Sequence, residues 1–243
     1  MDGLRNWSWC LVLGVMLVAG APMFAQSPPD PAVEEVRRTL DAARKDFERY
    51  RTEGGVPGSP QHPALKWEAA LWAYRERSPR TEAAALATAE AVRLLVRAEL
   101  WDRAHARVES VAFDDRAWER LATPIYDEAI ARKDLPYTIA TLSRVAAASA
   151  TSSSSRSAVL VVLGRAYRRH GDNAAATRSL EAAKSASPGT LYAEEADGVL
   201  YEIKYLSVGV QAPAVAGQTR NAGPIDPAGL RGKPVVLVFW GST

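Results

Sequence analysis

Apolar residues at alternating spacings of three and four run through this chain from Ala32 to Leu206, and nothing before residue 207 alternates with period two. A side chain returns to the same side of an α-helix roughly every 3.6 residues and to the same face of a strand about every two, so the pattern predicts helices and no sheet. Val33, Val36, Leu40, Ala43, Phe47 and Tyr50 form the first stripe, which Gly54-Gly55-Val-Pro-Gly-Ser-Pro60 ends. Trp67, Leu71 and Tyr74 mark a second helix from Pro63 to Arg77. Ser78-Pro79 suits an N-cap with proline at the first helical position. The helix it opens carries Leu86, Ala89, Val92, Val96 and Leu100. Trp101-Asp102 reads as a turn before Ala104, Val108 and Val111. Trp118, Leu121, Ile125 and Ala129 follow, with Pro124 kinking or restarting that segment. Ile139, Leu142 and Val145 mark the next helix, and the polar run 149–157 reads as a loop.

The ends differ from this middle. Met1–Trp9 carries one basic side chain, Arg5, partly offset by Asp2, and Cys10–Ala19 is an apolar run leading to Pro22 and Ala25-Gln26-Ser27. That is the layout of a secretory signal peptide, in a run shorter than the ~20 residues of a membrane-spanning helix. Residues 1–25 are therefore expected to be a signal peptide cut after Ala25, the protein periplasmic or secreted, and its contact with membrane limited to export. Trp-Ser-Trp before Cys10 argues against a lipid anchor. Cys10 is the single cysteine, so residues 26–243 hold no thiol, disulfide or thiolate metal ligand. Residues 26–31, with three prolines in six positions, read as a linker.

One 34-residue frame, Ser157 to Thr190, is legible as a helical hairpin. Leu160, Leu163, Gly164 and Tyr167 fall on its first helix, Gly171-Asp172 at its turn, and Ala176, Leu180 and Ala183 on its second helix before Pro188. Gly164 and Ala176 are small where paired helices approach closely. This frame resembles the tetratricopeptide (TPR) repeat, and the resemblance implies an array over residues 32–206 with a surface for a peptide or protein partner. Earlier copies match less well, so a plain antiparallel bundle with one repeat-like hairpin stays open, as does a spacer or dimerisation role.

At Leu206 the pattern changes. Ser207-Val-Gly-Val-Gln-Ala-Pro213 leads through a Gly-rich stretch to Leu230-Arg-Gly-Lys-Pro234 and then Val235-Val-Leu-Val-Phe-Trp240. The last run is continuously apolar and β-rich, as in a central strand buried on both faces. The wording "VGVQAP … LRGKPVVLVFWGST" resembles the opening of the thioredoxin-like proteins of the TlpA/ResA type, in the AhpC/TSA redoxin superfamily. The resemblance covers residues 207–243 and implies the first strands of a thioredoxin-like α/β domain. It makes Phe239, Trp240, Gly241, Ser242 and Thr243 the flank of the active site. It also puts the first catalytic cysteine immediately after Thr243, so the chain is expected to stop short of the Cys-x-x-Cys and to be inactive by itself.

Other chemistry is sparse. His62, His105 and His170 are scattered and read as surface histidines, and no catalytic, metal or cofactor site is expected. No phosphate-binding glycine loop, nucleophile elbow or zinc-protease motif is present. Asp114-Asp115 and Glu194-Glu195 read as exposed helix ends, and Trp67, Trp72, Trp101 and Trp118 as core. A formal charge of +2 is too small to argue for nucleic acid or an anionic membrane. The expected whole is mostly α: a TPR-like helical hairpin array, then the incomplete first strands of a redox domain. Three functions stay open: part of an exported thiol–disulfide oxidoreductase, part of a peroxiredoxin-like peroxidase, or a non-catalytic binding module.

Overall fold

The computed structural model describes residues 30–148, 150–211, 213, 218–219 and 223–224. Among these the chain is mostly helical. The helices are α1 (Pro31–Thr52), α2 (Ala64–Arg77), α3 (Glu82–Arg97), α4 (Trp101–Glu109), α5 (Trp118–Arg132), α6 (Pro136–Ala147), α7 (Ser153–His170), α8 (Asn173–Ala186) and α9 (Leu191–Tyr205). A single two-residue antiparallel pairing follows, β1 (Gln218–Thr219) with β2 (Gly223–Pro224). The expected signal peptide over residues 1–25, residues 26–29 of the expected linker, the strand predicted over Val235–Trp240 and the expected flank Phe239, Trp240, Gly241, Ser242 and Thr243 lie outside the described residues.

The helices alternate between two layers. Each odd-numbered helix packs on the next odd one, α1 on α3, α3 on α5, α5 on α7 and α7 on α9. The even-numbered helices lie against this row: α2 on α1 and α3, α4 on α3, α6 on α5 and α7, α8 on α7 and α9. Helix α3 is the centre of this packing and is buried almost all round, from Ala83 through Val96. A core cluster spans α1 to α7 around Leu71, Leu95, Trp118 and Leu142, and a smaller one joins α7, α8 and α9 through Val161, Leu180 and Val199.

Capping sets the boundaries, and here several sequence expectations are corrected. Pro31 opens α1 and Asp30 caps it, the side chain accepting from Ala32 N at 2.9 Å, so the last two linker residues belong to the helix end. A proline at the first position loses nothing, because its missing N–H has no intrahelical acceptor there. Thr81, not Ser78, caps α3, accepting from Ala84 N at 3.0 Å, while Ser78 ends α2. Trp101-Asp102 begins α4, and the chain reverses two residues earlier, at Glu99 with φ 58°. Ser152 caps α7, so half of the serine run is helix. Pro124 sits inside α5, which continues through it to Arg132.

Candidate functional site

The hairpin read from the sequence assembles as α7 and α8. Gly171 ends α7 at φ 93°, and Asp172 caps α8 by accepting from Ala175 N at 2.8 Å. Leu160, Leu163, Gly164 and Tyr167 lie on α7 and Ala176, Leu180 and Ala183 on α8. A Cβ on Gly164 would stand 2.6 Å from Leu180 Cγ, so the two helices meet where only glycine fits.

The row of odd helices is bent. Glu90 and Arg93 of α3, Glu119 and Arg120 of α5 and Tyr192 of α9 line one depression of about 280 Å³, although α9 follows α3 by three places in the row. A second depression of about 590 Å³ lies between Tyr126 of α5, Arg165, Arg168 and Arg169 of α7 and Glu202 of α9. Both are lined by side chains of α5 and α9, which makes them successive parts of one trough along those helices. Ion pairs join neighbouring elements beside it: Arg116, in the turn before α5, to Glu82 of α3 at 2.6 Å, Arg120 to Glu82, Arg165 to Glu195 and Arg168 to Glu202. Burial, then the Glu119 charge, raises the Tyr192 phenol above its ordinary value, so it stays a neutral hydrogen-bonding group there. Half-exposed pairs of this kind contribute only ~0–1 kcal/mol each, so an incoming charged partner can exchange with them. Among the residues that line it, no nucleophile stands beside an activating base.

A third cavity, about 400 Å³, lies between α1 and α3, with Leu40, Phe47, Tyr50 and Leu94 as its apolar wall and Arg44, Arg51 and Arg97 at its rim. His62 lines it and is buried, which corrects the surface reading. Its Nδ1 accepts from Ala64 N at 3.1 Å, and its ring meets Phe47 and Tyr50 edge-on. Burial holds the imidazole below its ordinary pKa, hence neutral. His105 is likewise not a free surface group. Its Nε2 lies 2.6 Å from Oε1 of the buried Glu128, an oxygen that accepts from Arg132, and its ring stacks on Tyr137 at 3.9 Å. Burial, then the charge of Glu109, pushes the Tyr137 phenol up to about 12. Asp115 corrects the exposed-end reading too, pairing with Arg75 at 2.9 Å and accepting from Ala117 N. Trp72 and Trp118 are core, as read.

The sequence reading missed Glu68. It is fully buried on α2, where it accepts from Arg103 Nε at 2.9 Å and Arg107 Nε at 2.5 Å, both on α4. A signal was there, since Ala64, Glu68 and Leu71 share the buried stripe of α2 at spacings of four and three. No group of three or more metal-ligating side chains occurs among the described residues. Comparison of the chain with family models, with curated proteins and with solved structures returned no match.

Proposed function

We propose that the helical region is a TPR-like array that docks a peptide or protein partner in its concave trough, as the targeting part of an exported thioredoxin-like thiol–disulfide oxidoreductase. The observation that carries the docking half is the bend that brings side chains of α3, α5 and α9 into one depression. A partner lying there meets a row of arginines and glutamates already held in cross-helix pairs, which offers both signs of charge at fixed spacing. The redox half is supported by the wording of residues 207–243. In such an enzyme a thiolate attacks a partner disulfide and a second cysteine resolves the mixed disulfide. The helical region then supplies the choice of partner, and export supplies an oxidising compartment. A non-catalytic binding module is the second reading, favoured by one fact: the only cysteine of the chain is Cys10.

Reading the coding DNA past codon 243 separates these. A Cys-x-x-Cys in the open frame supports the oxidoreductase, and a lone cysteine in a peroxidase-like context turns the redox half toward peroxide reduction. An in-frame stop favours the module. In the extended protein, replacing the second cysteine by serine traps partners as mixed disulfides. Charge reversal at Arg165 and Arg168 should lower the yield of trapped partner while reduction of a small disulfide is unchanged. Equal trapping by both proteins sinks the docking half alone.

A further inference from the structure

Nine large apolar side chains stay exposed among the described residues, and six of them belong to α9 or the five residues after it: Leu191, Tyr201, Tyr205, Leu206, Val208 and Val210. On α9 itself, Leu191, Glu194, Gly198, Tyr201 and Tyr205 follow at spacings of three and four, forming a stripe that faces away from the buried Ala193, Ala196 and Val199. Gly198 is the unusual member. A mid-helix glycine costs ~1 kcal/mol against alanine, and here no neighbour requires it, since a Cβ at Gly198 would meet nothing within 4 Å. Gly198 stands 34 residues after Gly164, and Tyr201 stands 34 after Tyr167. At Gly164 the same pattern receives Leu180 of α8. On α9 the corresponding socket is empty, because the chain turns at Ser207–Gly209 and forms no following helix among the described residues.

We propose that the outer face of α9 is a self-complementary interface on which a second copy of this chain docks antiparallel, Tyr201 of each copy seating over Gly198 of the other. Two-fold pairing requires that if one residue meets another, the reverse contact also forms. Centring the pair between Val199 and Leu200 satisfies this over the helical part of the stripe from Glu194 to Tyr205. Gly198 faces Tyr201, and Glu194 faces Tyr205 and the neighbouring Lys204. The charges agree: neither Glu194 nor Lys204 has an ion-pair partner among the described residues, and the Lys204 ammonium lies 4.8 Å from the Tyr205 ring. Tyr201 and Tyr205 are packed against each other at 4.8 Å, so the aromatic plug is pre-ordered. A helix of this length offers on the order of 400 Å² per copy, about half of a standard interface, so the dimer is weak and concentration-dependent.

Sedimentation velocity on protein purified from expression of the full 243-residue chain tests this. A monomer–dimer equilibrium is expected below roughly 100 µM. Gly198→Leu, which fills the socket at an exposed position without disturbing the core, should raise the dissociation constant at least about tenfold. Glu194→Lys and Lys204→Glu should each weaken the dimer, and the two together in one chain should restore it, because each swapped charge meets the other copy. Unchanged helical circular dichroism in every variant rules out misfolding as the cause. A chain that stays monomeric throughout, its face covered in cis by residues after Val210 or by nothing, overturns the proposal. So does a dimer indifferent to Gly198→Leu, or a double charge swap that fails to restore it.

Discussion

A Cβ at position 164 would fall 2.6 Å from Leu180 Cγ and 3.4 Å from the Ala176 carbonyl oxygen, which ties the smallest residue to the closest approach of α7 and α8. Alanine there gains ~1 kcal/mol of helix propensity but overpacks a well-filled contact, which costs ~1–3 kcal/mol. Gly164→Ala should therefore lower stability by about 1 kcal/mol net, read as a lower denaturation midpoint at unchanged slope. Lys133 is the opposite case. It ends α5 in the left-handed region at φ 58°, where a side chain is strained and glycine is favoured. Lys133→Gly should raise stability by up to ~1 kcal/mol, a gain visible as a higher Tm. Both residues sit in readable patterns, but only Gly164 was legible. A glycine in an apolar helix face announces a close contact, whereas lysine at a helix end looks like an ordinary favourable charge.

Among elements, α2 and α4 are joined through a carboxylate that has left water. Glu68 is fully buried, and its two oxygens are held by Arg103 and Arg107, while Arg107 also lies 4.2 Å above the Trp72 ring. Replacing both arginines by methionine keeps much of the packing and removes both partners, leaving a buried charge. That should cost ~3–5 kcal/mol, and adding Glu68→Leu should recover much of the loss. Thermal melts of the double and triple variants check this. The join of α1 to α2 and α3 is expected to weaken in acid through His62. Its folded pKa lies below the unfolded value of about 6.5, so the unfolded chain takes up the proton more readily. The stability is therefore full above that value and falls as pH drops through it toward the lower folded pKa. Wild-type Tm should fall between about pH 7.5 and 5.5 by more than that of His62→Asn, whose side-chain oxygen can still accept from Ala64 N. An equal fall in both proteins would count against a buried neutral histidine.

For the molecule as a whole, the two clusters of buried apolar residues are drawn from α1 through α9. The helical body therefore carries its own core. Deleting residues 207–243 should leave the helical circular-dichroism signal and Tm nearly unchanged. It should also improve solubility, since Val235–Trp240 has the composition of a strand made for a sheet interior, and an uncovered apolar strand templates aggregation. Loss of the helical signal on deletion would mean that the segment is packed into the body. At this scale, too, protein recovered from the cell envelope should begin near Gln26 by intact mass, and purified residues 26–243 should match the blank in an insulin-reduction assay. Retention of Met1, or thiol activity surviving repurification, would contradict those two expectations.

Helix type and the α7–α8 hairpin could be read from the chain because each rests on local information. Periodicity, a left-handed glycine and a cap such as Asp172 act within a turn or two of one another. The bend of the α3–α5–α7–α9 row, the Glu68 join, the burial of His62 and the Arg75–Asp115 pair could not be read in the same way. They depend on contacts between residues tens of positions apart, such as Glu68 with Arg107 and Arg75 with Asp115. A glutamate in an apolar stripe is ambiguous until its counter-ions are known, and so is a histidine in a glycine-rich loop. The stripes of α1 to α9 made a helical stack nearly inevitable, because each helix had an apolar face to bury. Which faces remained over, the trough of paired charges and the bare outer side of α9, was decided only when the helices packed.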